Sequence, residues 1–113
     1  DAQADVKLMC NKLTGLRIFA DEQGRMNLNV EQIGGQLLII SQFTLHGDVR
    51  RGKRPSFVKA MEPEPARAMV AQVCAEVRNL GLTVQEGQFG ADMTVDLCNQ
   101  GPVTILIDTK KRF

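Results

Sequence analysis

Residues Asp92 to Asp108 read DMTVDLCNQGPVTILID. Met93, Val95 and Leu97 alternate with polar residues and share one face, and Val103, Ile105 and Ile107 likewise fall on one face at a spacing of two, the period that puts one face of a strand against a core. The short NQG connection joins the two runs most simply as an antiparallel hairpin. Pro102 stands at the mouth of the second strand. It cannot donate to a ladder, a harmless loss if it only starts the strand. The other reading makes the Gly101–Pro102 corner itself the working part, and the residues alone leave both open.

Upstream of this pair, the chain alternates helices and strands without a regular βα period. Gln3 to Leu16 carries Val6, Met9, Cys10 and Leu13 at spacings of three and four, with Gly15 as terminator, and predicts an amphipathic helix. LRIFAD then reads as a short strand, DEQG as a turn, and RMNLNVEQIGG as ambiguous up to its closing glycine pair. QLLIISQFTL, Gln36 to Leu45, predicts a central strand: its apolar start suggests burial on both faces and its alternating end a surface. HGDVRRGKRPSF is a loop, with a short helical piece expected at SFVKAM. A second helix is predicted from about Glu64 to Leu80, its stripe of Ala66, Met69, Val70, Val73, Cys74 and Val77 read as core, Pro65 in its first turn and Gly81 just past its end. LTVQEG adds a strand. The pattern is α+β with mainly antiparallel sheets and two main helices, in a single domain spanning residues 1–113.

The composition, 43% hydrophobic and 24% charged with a net charge of +1, is that of an ordinary globular chain. The longest apolar run, Leu37 to Ile40, is too short for a bilayer, and DAQADVKLMC has neither a basic nor an apolar signal region, so the expectation is a cytoplasmic protein with no membrane partner. Cys10, Cys74 and Cys98 are odd in number and far apart, which predicts reduced, mostly buried thiols and neither a disulfide framework nor a metal site.

The chain contains no G-x-S-x-G elbow, H-E-x-x-H, P-loop or G-x-G-x-x-G. Ser41, Thr44 and His46 are the one local set resembling a nucleophile and base, Thr44 and His46 on a shared strand face, with Asp48 the only nearby carboxylate to orient the histidine. Arg50, Arg51, Lys53 and Arg54 crowd one loop, which is either a solvated surface or a phosphate-binding patch. Lys110, Lys111 and Arg112 form a second basic cluster, expected to be a solvated terminus.

SQFTL at Ser41–Leu45, GPVT at Gly101–Thr104, KRPSF at Lys53–Phe57, FGADM at Phe89–Met93 and LRIFADEQGRMNL together resemble the D-aminoacyl-tRNA deacylases, in order and over essentially the whole chain. That resemblance implies an α+β fold whose sheets have barrel-like curvature. Members open with a hairpin and strand ahead of the first helix, whereas this chain begins at the helix, so a domain lacking its N-terminal strands is implied. It also implies a homodimeric hydrolase, without metal or cofactor, that removes D-amino acids, and glycine mischarged on tRNA-Ala, from tRNA. The Gly101–Pro102 bond would be cis and would reach into the partner's site, its carbonyls meeting the substrate amino group and leaving no room for an L side chain. Main-chain N–H groups around Gln42, Phe43 and Thr44 would form an oxyanion hole, Ser41 and Gln42 would shape the pocket, and the ribose 2′-hydroxyl would assist water. Phe89, Gly90, Ala91, Met93 and Thr104 complete the implied substrate site, with Phe89 as an aromatic wall for adenine; Arg50, Arg51, Lys53 and Arg54 would dock the tRNA. The rival readings are an inactive tRNA-binding module of the same fold and a structural dimer domain with no RNA partner.

Overall fold

Two prolines and a glycine frame the longest element. In the computed structural model, which describes all residues from Asp1 to Phe113, helix α2 spans Pro63–Asn79. Pro63 and Pro65 occupy the first turn, where a missing N–H costs nothing. Gly81, at φ 95°, reverses the chain past the last turn. Gly81 N–H donates to Arg78 O at 3.0 Å and Leu82 N–H to Val77 O at 3.5 Å, the paired bonds of a Schellman ending. Helix α1, Gln3–Gly15, starts at Ala2, which has no side-chain oxygen to cap with; Asp5 Oδ2 accepts from Ala2 N–H at 2.8 Å instead.

The two helices pack on each other through Val6, Cys10, Cys74 and Val77, joined in the core by Val30, Leu82 and Val84. Each such valine contributes roughly 1.5–3 kcal/mol on burial. Cys10 and Cys74 are buried and Cys98 is exposed, all three unpaired; burial pushes the Cys10 and Cys74 thiols up.

Strands β1 (Phe19–Ala20) and β2 (Met26–Leu28) pair antiparallel across the turn at Asp21–Gly24, whose Asp21 Oδ1 accepts from the N–H groups of Gln23 and Arg25. Strands β3 (Leu37–Ile39) and β4 (Val84–Glu86) pair parallel, because α2 lies between them in sequence and carries the chain back. Arg78 fastens this crossover, donating to Val84 O at 2.9 Å and pairing with Glu86 at 2.9 Å. The architecture is therefore α+β with two helices and two small sheets, one antiparallel and one parallel, neither closed. No helix is long and apolar enough to cross a membrane.

Several expectations are corrected. The strand expected through Leu45 stops at Ile39, and Phe43–His46 is a 3₁₀ turn, so Thr44 and His46 share no strand face. Leu38 is 60% exposed, because only Leu37 and Ile39, on the other face of β3, pack against the core. SFVKAM forms a turn and not a helix. The hairpin of Asp92–Cys98 with Val103–Asp108 is absent: from Asp92 to Ile107 the main chain makes no backbone–backbone hydrogen bond. Its face periodicity is nonetheless right, since Val103, Ile105 and Ile107 line an apolar cavity of about 240 Å³ against Leu13, Phe19 and Leu37. A face needs only side chains that alternate, whereas a ladder needs a partner strand, and Gly101 at φ 134° followed by a proline without an N–H supplies no hairpin turn. Two of the three C-terminal cations are not free either. Lys110 Nζ lies 3.3 Å from Asp5 and 3.8 Å from Asp1, and Arg112 Nε lies 2.6 Å from Asp108.

Candidate active site

Because β3 and β4 run parallel, the segments that leave their carboxyl ends emerge at one edge of the sheet, and α2, running the opposite way, brings its first turns to that same edge. There they enclose a cavity of about 310 Å³. Ser41, Gln42, Phe43 and His46 line it from the segment after β3. Phe89, Gly90, Ala91 and Met93 line it from the segment after β4, and Ala66, Met69 and Val70 from α2, with Ala60 and Met61 just before it. Gly87 permits this closure: a Cβ there would meet Met93 Sδ at 3.3 Å and Ile40 Cγ2 at 3.4 Å.

The main chain offers donors at this cavity. No hydrogen bond within the chain uses the N–H of Gln42, and those of Phe43 and Thr44 open the 3₁₀ turn, where N–H groups have no partner inside the turn. Thr44 does not line the cavity; its Oγ1 accepts from Gln42 Nε2. The nucleophile and base reading loses its orienting carboxylate. Asp48 Oδ1 accepts from Arg50 N–H at 3.0 Å and from Nε at 2.9 Å, and Oδ2 accepts from Nη2 at 2.6 Å, which holds the Asp48 carboxyl well below the usual range.

That same pair fixes the basic loop. Asp48 and Ser56 exchange main-chain hydrogen bonds at 2.8 and 2.9 Å, closing the loop between them. The Phe57 ring meets Phe43 edge to face at 5.0 Å, anchoring the loop to the cavity wall, and Gly47 makes the approach possible, since a Cβ there would lie 3.1 Å from Phe57 Cε1. Arg51, Lys53 and Arg54 are exposed and make no ion pair within the chain, whereas Arg50 is engaged by Asp48.

Gly101, Pro102 and Thr104 are exposed and lie off this cavity; the Gly101–Pro102 bond is cis, the geometry that the resemblance implies. The expected site residues thus divide in two. Ser41, Gln42 and Phe43 meet Phe89, Gly90, Ala91 and Met93 at one cavity, while the Gly-Pro corner stands apart. The wall from α2 went unread in the sequence, because Ala66, Met69 and Val70 continue the stripe that buries Cys74 and Val77 and carry no separate signal. Nowhere do three or more His, Cys, Asp or Glu side chains converge as metal ligands would.

A family model described as D-Tyr-tRNA(Tyr) deacylase matches residues 1–108. A D-aminoacyl-tRNA deacylase of Heliobacterium modesticaldum is 51% identical over 108 residues, spanning 96% of this chain and 72% of the relative. One from Desulfitobacterium hafniense is 50% identical over 113 residues, spanning 100% and 76%. Among solved structures, the c-Myc DNA Unwinding Element Binding Protein superposes with a TM-score of 0.87 at 34% identity, over 96% of this chain and 74% of that one.

Proposed function

The chain belongs to the D-Tyr-tRNA(Tyr) deacylase family, and on that premise we propose that it hydrolyses the ester bond of D-aminoacyl-tRNA, releasing the free D-amino acid and the tRNA as a chiral proofreading step in translation. The observation that carries the reading to particular residues is the meeting of Ser41–Phe43 and Phe89–Met93 at one cavity. At about 310 Å³ it falls within the size range of small-molecule sites, and it suits the terminal nucleoside with its ester.

Water adds to the ester carbonyl carbon, helped by the ribose 2′-hydroxyl. The oxygen of the tetrahedral intermediate is taken by the main-chain N–H groups of Gln42 and Phe43, which line the cavity, with Thr44, off the cavity, closing the turn behind them. The bond to the ribose oxygen then breaks, that oxygen takes the proton given up by the attacking water, and the free amino acid leaves, its carboxyl losing a proton to solvent. Donors of this kind are worth roughly a hundredfold or more each in other enzymes. No side-chain nucleophile is required: Thr44 positions, Ser41 and Gln42 shape the wall, and Phe89 offers a face to adenine, with Gly90, Ala91 and Met93 beside it.

Gly101–Pro102 and Thr104, exposed and away from their own cavity, are read as reaching into the site of a second copy, where the corner's carbonyls take the substrate amino group and exclude an L side chain. The working protein on this reading is a homodimer, whose sheets take the barrel-like curvature that the family resemblance implies. Arg51, Lys53 and Arg54 dock tRNA phosphates, with Arg50 holding the loop. Glycine mischarged on tRNA-Ala is the second expected substrate.

The test is deacylation of D- and L-aminoacyl-tRNA and of Gly-tRNA by the full chain. Release of D-amino acid with the L-ester spared is expected. Tight tRNA binding without turnover would replace the enzyme by a binding module, and neither binding nor turnover would leave only a structural role.

A further inference from the structure

We propose that Arg67, which no part of the reading above uses, is a positioning residue that backs the Phe89 ring and so presets one wall of the nucleoside pocket; this rests on the deacylase reading of the cavity. The Arg67 guanidinium carbon lies 4.8 Å from the centroid of the Phe89 ring, inside the range in which a cation and a ring face attract. Phe89 lines the cavity and Arg67 does not, so the guanidinium covers the ring from outside and leaves the inner face to the substrate.

Phe89 needs such a backing. The segment from Gln88 to Ala91 is tied by a single main-chain hydrogen bond, Ala91 N–H to Gln88 O at 3.2 Å, and the chain beyond it makes none through Ile107. An aromatic wall on so loosely tied a segment would be ordered by the substrate at a cost in affinity unless something rigid held it first. Helix α2 is rigid, and Arg67 sits in its second turn. Nothing competes strongly for the guanidinium: its one carboxylate neighbour, Glu64, stands 4.0 Å away and is itself exposed, a pair of little weight. The stacked arrangement of guanidinium, phenyl ring and adenine uses both faces of Phe89.

The experiment compares wild type with Arg67→Ala, Arg67→Gln, Arg67→Lys, Phe89→Leu and the Arg67→Ala/Phe89→Leu pair, measuring kcat and KM on one D-aminoacyl-tRNA together with thermal unfolding. Loss of the cation should raise KM about two- to fivefold at unchanged kcat and unchanged unfolding temperature. Lys should restore part of the affinity and Gln little. In the double variant the two losses should not add, as for residues acting as a unit. An unchanged KM in Arg67→Ala, a loss in kcat alone, or strict additivity with Phe89→Leu would overturn the proposal while wild-type turnover leaves the deacylase reading standing. Absence of turnover by wild type would overturn that reading, and this proposal with it.

Discussion

Gln42 donates through Nε2 to Thr44 Oγ1, so the hydroxyl best placed by sequence to serve as a nucleophile is spent as an acceptor that holds a neighbouring side chain. The base expected to take its proton loses its orienting group, because Asp48, the carboxylate expected to orient His46, is bound by Arg50. Thr44→Ala should therefore keep substantial activity. The loss of one such hydrogen bond, worth about 0.5–1.5 kcal/mol, corresponds to a fall in kcat/KM of roughly two- to tenfold, with Thr44→Ser close to wild type. Mass spectrometry of a quenched reaction should find no acyl-enzyme. An ester trapped on Thr44 or Ser41 would sink the non-covalent mechanism.

The basic loop makes a graded prediction, because its four cations are not equivalent. Arg50 is already neutralised by Asp48, whereas Arg51, Lys53 and Arg54 have no anionic partner. Replacing Arg51 and Arg54 together by Ala should shallow the slope of log K against log salt for tRNA binding by about one to two units. Arg50→Ala should change the slope less than Arg54→Ala does, and should loosen the loop instead. Equal slopes across all of these variants would return the loop to plain solvent.

Local hydrogen bonding decides how much of this molecule could be read from its residues. Helix α2 was legible to within a residue at each end because Pro65 and Gly81 act on bonds within a few positions of themselves. The same holds for the turn at Asp21–Gly24. Strand ladders are made at a distance, so alternation at Val103, Ile105 and Ile107 gave the correct face and the wrong pairing. For the site, SQF and FGADM pointed to one cavity only through family resemblance. The α2 wall stayed hidden because residues that line a cavity and residues that fill a core obey one periodicity. Arg67 was invisible for a further reason: an exposed arginine acquires meaning only once Phe89, from another element, is seen beneath it.

Asp5 should make part of the stability titrate in acid. Its carboxylate accepts from Ala2 N–H and from Lys110 Nζ, and these, with the Thr109 side chain nearby, pull it from an ordinary 3.8 down to about 2. A carboxyl lowered by folding stabilises the folded state above its unfolded value, and that contribution fades as pH falls from about 4 through 2. Asp5→Asn keeps an oxygen acceptor and loses the charge. Its unfolding temperature should lie below wild type at pH 5, and the gap should close as pH approaches 2. Asp48 and Asp108, also lowered by their arginine partners, titrate in both proteins and cancel in the comparison. A gap that does not change with pH would show that the Asp5 charge plays no part.

Gly101 separates activity from stability. Its φ of 134° lies where side chains are rarely tolerated, and a Cβ there would stand 3.0 Å from Val103 N and 3.1 Å from Val103 Cγ2. Gly101→Ala must move the corner or hold strain of roughly 1–3 kcal/mol. Moving is the easier course. The residue is exposed and no main-chain hydrogen bond from Asp92 to Ile107 has to break, so the corner shifts while the core of Val6, Cys74 and Val77 stays as it is. The unfolding temperature should accordingly fall by less than about 4 °C, the scale of a loss near 1 kcal/mol in a chain of this size. Deacylation should suffer far more if the corner works in a partner's site, where the added methyl also crowds the substrate: kcat/KM on D-aminoacyl-tRNA should drop at least about tenfold, the equivalent of 1.4 kcal/mol at the transition state. Retained D-activity in Gly101→Ala would remove the corner from the mechanism. A large fall in unfolding temperature would mean that it belongs to the core of the fold.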